Sequence, residues 1–415
     1  MGAGVGSDPF SVTGGKVYLT GPYNGAPFGL SIVNPAKAGP FVLDEGNPVI
    51  TRARIDINPY AAQALVPTDP FPTIIDGIPL EIRHVNVDID RPGFTFNPTN
   101  CNPMSVTGTI TSAEGVSSPL SVPFQVGDCA GLAFKPGFAV STSGKTNKKL
   151  GASLHVKLVP PHEGPQSGTS ASGTGSTSGT SGSASGSSAQ TEEANIARVK
   201  VDLPKQLPSR LTTLQKACTS AQFDSNPAGC PSASNIGYAK AITPILPVPT
   251  SRQGSNLSGP AYFVSHGNEA FPQLILVLQG YGITIDLVGD TFISKAGITS
   301  STFAHVPDAP VSSFELTLPQ GKYSALTANA NLCTVKGGLK MPTEFVAQNG
   351  AVIHQSTPIS VSGCPPTKTA AQLRAQKLEA ALKACHKKPK GAKRSGCEKA
   401  ARKKYGVVKK VKKRK

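Results

Sequence analysis

Apolar and polar residues alternate with a period of two along most of this chain, the pattern of strands with one buried face. Residues 152–160 (ASLHVKLVP) and 196–204 (IARVKVDLP) read as strands, as do residues 82–90 (IRHVNVDID), apolar at Ile82, Val85, Val87 and Ile89. Residues 274–278, within PQLILVLQG, are among the longest apolar runs and fall far short of a membrane span. MPTEFVAQNGAVIHQ reads as two short strands around Asn349-Gly350, a strong hairpin signal. A helical period is expected from Ser209 to about Phe223, and again in the tail over residues 369–385 and in CEKAARKKYG, ending at Gly406. Helical crossovers between strands are missing. The expected fold class is therefore all-β, two antiparallel β-sandwich (Ig-like) modules followed by a short α-helical basic hairpin.

Two stretches repeat. VYLTGPYNGAPFGLSIV (residues 17–33) lies over AYFVSHGNEAFPQLILV (residues 261–277) without a gap, matching Tyr18 to Tyr262, Asn24 to Asn268, Ala26 to Ala270, Leu30 to Leu274 and Val33 to Val277. FNPTNC ending at Cys101 answers ANANLC ending at Cys333; Gly115 and Gly350 each stand 14 residues before the next cysteine, Cys129 or Cys364. Pro123 and Pro358 fall in register, as do Val126 and Val361. The reading is one module in two copies: a disordered start over 1–14, a front-truncated module over 15–129, a second module over 130–365, and a basic helical hairpin with a disordered end over 366–415. The second copy has a preamble that the first lacks. This points to a piece of a longer exported protein whose signal peptide was lost with a truncated N-terminus, since Met1 is followed by neither a basic nor an apolar leader. Residues 167–188 are Ser, Gly, Thr and Ala only. The strand patterns on either side, both ahead of the second repeated core, make 164–191 a disordered loop insertion inside that module rather than a linker between modules.

Composition sharpens three points. Gly and Pro, 43 and 37 residues in a chain of 415 without Trp, suit short strands joined by many turns. The net charge of +17 lies in the tail: residues 366–415 hold 19 Lys/Arg and 2 Asp/Glu, whereas the rest holds 22 of each sign. The eight cysteines fall as local pairs, Cys101/Cys129, Cys218/Cys230, Cys333/Cys364 and Cys385/Cys397. They read as a disulfide framework of an oxidising compartment, each closed loop stabilising by roughly 3–4 kcal/mol in the chain-entropy model. Zinc is the rival, but neither C-x2-C spacing nor a Cys/His cluster supports it.

Candidate chemistry is sparse. His84, His155, His162, His266, His305, His354 and His386 are scattered and fit no hydrolase, metalloprotease or phosphate-loop motif. His84, His155 and His354 sit in strand patterns as sheet-face residues; His266 lies in a turn whose Asn268 matches Asn24. Asp88 and Asp90 share one strand face, a spacing open to acid/base chemistry or calcium, but alternation toward water explains them equally. Asp224, Asn226 and Gly229 mimic part of a calcium loop without its distal glutamate. The concentrated feature is basic: Lys387, Lys388, Lys390, Lys393 and Arg394 between the last two cysteines, then Arg402, Lys403, Lys404, Lys409, Lys410, Lys412, Lys413, Arg414 and Lys415. Summed electrostatics of this kind capture polyanions. With Tyr405 as the one interleaved aromatic, base stacking and specific nucleic-acid recognition are not expected.

VYLTGPYNGAPFGLSIV, DRPGFTFNPTNCNPMSVTGT, LPKQLPSRLTTLQKACTSAQF and the terminal AALKAC…GCEKAARKKYG resemble large repeat-bearing secreted and cell-surface proteins of actinobacteria, over nearly the whole chain. The resemblance implies an extracellular or cell-wall location and lends no catalytic residue. The expectation is a non-enzymatic exported structural or adhesive surface protein. It needs no cofactor and is held by its tail to anionic cell-wall polymer or acidic polysaccharide. Two alternatives are a carbohydrate-binding or carbohydrate-active exported protein and an intracellular nucleic-acid-binding protein.

Overall fold

The computed structural model describes residues 2–3, 10–38, 41–89, 96–147, 149–159, 193–247, 256–365, 370–387 and 389–406. The Ser/Gly insertion and the basic run after Gly406 lie outside them. The chain forms two compact units, Met1–Ser362 and Gly363–Lys415.

The first unit begins with a four-stranded antiparallel sheet, β1 (Lys16–Thr20), β2 (Phe28–Asn34), β3 (Val49–Ile57) and β4 (Ala64–Leu65), in that order. Tyr23 and Ala26 exchange backbone hydrogen bonds across the β1–β2 connection, with Asn24 and Gly25 at φ of 46° and 83°. Only Asn and Gly take that left-handed backbone readily, which accounts for Asn24 without a binding role. A separate two-stranded hairpin follows, β5 (Met104–Thr111) with β6 (Ser117–Phe124). Of residues 82–90, only Ile82–His84 forms a strand, pairing with Gly2–Ala3; residues 85–89 are irregular and Asp90 lies outside the described residues.

The strands that follow residue 130 are β7 (Gly137–Ser143), β8 (Leu154–Val159), β9 (Ile196–Asp202), β10 (Cys218–Thr219), β11 (Asn235–Ile242), β12 (Leu257–Ser265), β13 (Gln273–Gly280), β14 (Ile283–Ile293), β15 (Thr299–Phe303), β16 (Ser313–Leu318), β17 (Leu339–Ala347) and β18 (Val352–Ser362). They make one sheet in the order β12-β11-β16-β8-β7-β18-β17-β9-β15-β14-β13, and β13 pairs back to β12. The result is an 11-strand barrel-like sheet, antiparallel except for β7 beside β18, with β10 attached outside the circuit to β12. This corrects the expected pair of sandwiches, although the predominantly β class holds. Alternation buries one face of every strand in either architecture; the closing pairs, such as Ala261 with Leu276, decide between them and leave no stack of two open sheets.

Burial follows the closure. Leu154, then Leu274, Leu276 and Leu278, then Leu316 and Leu318 point inward and join one core cluster, and Leu158 joins a second with Ile196 and Phe345. In β13 the intervening Ile275 and Val277 are buried as well, because they cluster with Tyr262 and Val264 of the neighbouring strand beneath Cys218 and Phe223. The unbroken LILVL run is therefore a strand covered on both faces. The helix expected from Ser209 to Phe223 divides into α1 (Leu211–Leu214) and α2 (Ser220–Ser225), since Cys218 between them pairs in parallel with Val264. A long-range ladder overrides local helix propensity there.

The second unit pairs α3 (Ala370–His386) with α4 (Ala392–Tyr405). Cys385–Cys397 joins them, as Cys101–Cys129 and Cys218–Cys230 join parts of the first unit; Cys333 and Cys364 are also disulfide-bonded. All eight cysteines are thus paired, which indicates folding in an oxidising, extracellular environment. Among the described residues, no helix is long and apolar enough to cross a membrane.

Candidate functional site

Eleven strands enclose more space than inward side chains fill, and here they leave a cavity of about 300 Å³. Its wall is built by period-two alternation: Val199 and Val201 on β9, Ile283, Ile285 and Leu287 on β14, Phe314 and Leu316 on β16. Several of these inward side chains, Val199, Val201 and Leu287 among them, pack against the core yet are only half-buried, because one side of each borders the empty lumen. Gly289 also faces inward, and the Phe303 ring sits directly over it; a Cβ there would lie 2.7 Å from ring carbons. Glycine at this point lets the ring lie against the wall instead of filling the lumen.

One end is closed. Segments after β9 and β16 cross it and bury Leu207, Leu214, Ala325, Leu326 and Leu332. They are tied by the Thr213 hydroxyl donating to the Ser324 carbonyl (2.9 Å) and the Thr327 N–H to the Pro208 carbonyl (2.9 Å). The other end is bounded by residues 243–247 and 306–311, many of them partly exposed. Strand β8 ends and β9 begins at this mouth, so the two chain ends that flank residues 160–192 both lie there.

The N-terminal part of the unit completes the mouth. Strand β15 covers β14 only from Gly289 to Ile293, which leaves the edge of β14 bare toward the mouth. There the Asp286 N–H donates to the Pro59 carbonyl at 2.9 Å, and Ile57 and Ala62, on either side of this strap, line the cavity. The Asp286 side chain points away from the lumen, opposite Ile285 and Leu287. One carboxylate oxygen of Asp286 is buried without a hydrogen-bond partner among the described residues. Burial, with a smaller contribution from Asp224, pushes its pKa from 3.8 up to about 6. Burial also raises the Tyr60 phenol in the strap, helped by Asp286 and then Asp224. A second tie is Asp308, whose carboxylate accepts from the Thr99 and Asn100 N–H groups, the Thr99 hydroxyl and the Asn100 and Asn195 side-chain amides.

The lumen is nearly free of polar groups. Among the described residues its lining contains no charged side chain, and the polar ones are Asn195, Ser209, Thr243, Thr291, Thr299 and Ser301. Asn195 is held by Asp308, Thr243 donates to the Pro310 carbonyl (2.7 Å), and Thr299 accepts the Ser209 N–H (3.1 Å). The Thr291 hydroxyl is buried with no partner among the described residues. Such a cavity excludes stable water clusters and favours apolar occupants.

The residues singled out from sequence lie elsewhere. His155 meets Thr317 and His266 meets Gln273 on outer surfaces; His354 and His386 approach Glu344 (3.6 Å) and Glu398 (3.2 Å). His84, His305 and Asp88 are exposed, and His162 lies outside the described residues. Asn226 caps a turn by accepting the Ala228 N–H, and no group of three or more metal-binding side chains occurs among the described residues. In the helical hairpin Lys387, Lys390, Lys393, Arg402, Lys403 and Lys404 are exposed. Arg394 is instead half-buried and bonded to Glu398 (3.0 Å). Lys388, Lys409, Lys410, Lys412, Lys413, Arg414 and Lys415 lie outside the described residues. The lumen was not singled out from sequence; its signal was the inward apolar set of every barrel strand, which becomes a cavity only on closure. No family model, curated protein or solved structure matches the chain.

Proposed function

We propose that this chain is an exported binding protein whose barrel holds an apolar small molecule. The unfilled lumen, apolar around its whole circumference and open at one end, carries this reading. No catalysis is assigned, since the lining contains no titratable side chain among the described residues. Export is supported by the four disulfides. The test is titration with 1-N-phenylnaphthylamine, a neutral apolar fluorophore. Saturable binding at one site per chain is expected, with loss of binding in Val201→Trp or Leu287→Trp, whose indole occupies the lumen while the melting transition persists. No saturable binding, or equal binding by these variants, overturns the reading.

The exposed Lys and Arg side chains of the helical hairpin favour a second, compatible role. In it the hairpin holds the protein to anionic wall polymer or acidic polysaccharide by summed electrostatics. Deleting residues 366–415 is expected to abolish retention on an anionic polymer matrix and leave fluorophore binding intact; raised salt releases the full chain. Equal, salt-insensitive retention of both forms contradicts this role. The view of residues 15–129 and 130–365 as two copies of one module, with a structural or adhesive surface role, belongs to the same proposal; the shared sequence phrases support it.

A further inference from the structure

Granting the lumen reading, we infer that the ligand is a neutral amphiphile with one uncharged hydrogen-bonding group, a long-chain alcohol in its simplest form, which enters polar end first. Thr291 and Ser301 are direct cross-strand partners on β14 and β15, and both line the lumen. They lie toward the closed end, one pair short of the Ile293–Thr299 pair that meets the capping segment. The Thr291 hydroxyl is turned into the wall without a partner among the described residues, so rotation about χ1 presents it to a ligand's head group without breaking a hydrogen bond. Polar groups nearer the mouth are already committed: Asn195 to Asp308, and Thr243 to Pro310. A polar head therefore finds free hydrogen-bonding capacity deep in the barrel rather than at its entrance. With no charged side chain in the lining among the described residues, an ionised carboxylate or phosphate there would be uncompensated in an apolar surround. Two hydroxyls can serve a neutral head both as donors and as acceptors.

The experiment displaces bound 1-N-phenylnaphthylamine from the intact chain with 1-dodecanol, 1-chlorododecane and, at pH 8, dodecanoate. Dodecanol is expected to act at roughly 3- to 10-fold lower concentration than chlorododecane, the range that one or two neutral hydrogen bonds contribute. Dodecanoate is expected to be the weakest. In Thr291→Val/Ser301→Ala the ratio between the concentrations of chlorododecane and dodecanol that displace half of the fluorophore is expected to fall to about one, whatever the variant's own affinity for the fluorophore. If the fluorophore binds but alcohol and chloride displace it equally, the two hydroxyls are served by water only and the inference falls while the lumen reading stands. Preferential displacement by dodecanoate overturns it too. Failure of the fluorophore to bind removes both.

Discussion

The hairpins β5–β6 and β17–β18 are built alike and end in opposite environments. Each pairs eight residues with eight antiparallel, and each presents apolar side chains on alternate positions. In β17–β18 the apolar face is interior: Leu339, Met341, Phe345 and Ile359 are at most 5% exposed. In β5–β6 the corresponding face is bare, with Val106, Ile110 and Val122 at 60% or more. The difference lies in neighbours. β17 and β18 are flanked by β9 and β7, whereas β5–β6 forms a two-stranded sheet of its own. Alternation thus specifies which face is apolar, and tertiary pairing alone specifies whether that face becomes a core. The first sheet shows the same contrast: β1 is exposed along almost its whole length, while β12 is buried along most of its.

The largest effect is expected from removing neighbours. A fragment beginning at Gln190 lacks β7 and β8, which bridge β18 to β16, so the barrel cannot close. It is expected to aggregate or to lack a cooperative melting transition, whereas replacing residues 164–191 with Gly-Ser leaves the transition unchanged, since lengthening or shortening a surface loop costs little. A soluble, cooperatively melting fragment would break the comparison. Next is a matched pair of truncations. Phe345→Ala removes a fully buried ring that meets Phe138 edge-on at 5.3 Å and is expected to cost about 3–5 kcal/mol. Val122→Ala, on the bare hairpin, is expected to cost no more than about 0.5 kcal/mol. Equal losses in denaturant titrations would mean that β5–β6 is covered in solution.

The smallest effect concerns the strap that joins the two parts. Asp286 has a raised pKa when folded, so its ionisation opposes folding. The penalty is absent below about pH 4, grows between pH 4 and 6, and is full above 6. Asp286→Asn should therefore raise the melting temperature by about 2 °C at pH 7.5 and leave it unchanged at pH 4. The same gain at both values would show that the carboxylate is not held under the strap.

What could be read from sequence depended on the range of the interaction. Strands β8, β9, β17 and β18 were legible because alternation and the Asn349-Gly350 turn are local. The disulfide partners were legible from short spacings, and the basic hairpin from helix-forming residues, a cysteine pair and charge, none of which needs tertiary context. The barrel was not legible. Its closure rests on pairs such as Val140 with Ile359 and Val199 with Phe345, far apart in sequence and written in the same alternating code as a sandwich. The strap was also out of reach, because Pro59 meets Asp286 across more than half of the chain. Cys218, read as helical, was claimed by Val264 for the same reason.

Diffraction from a crystal pressurised with xenon distinguishes a dry apolar lumen inside the closed barrel from a hydrated one. Xenon enters apolar cavities and avoids hydrated ones. Xenon is expected inside the barrel, against Val199, Val201, Leu287 and Phe303. A lumen without xenon, filled by ordered water or collapsed on itself, would contradict it.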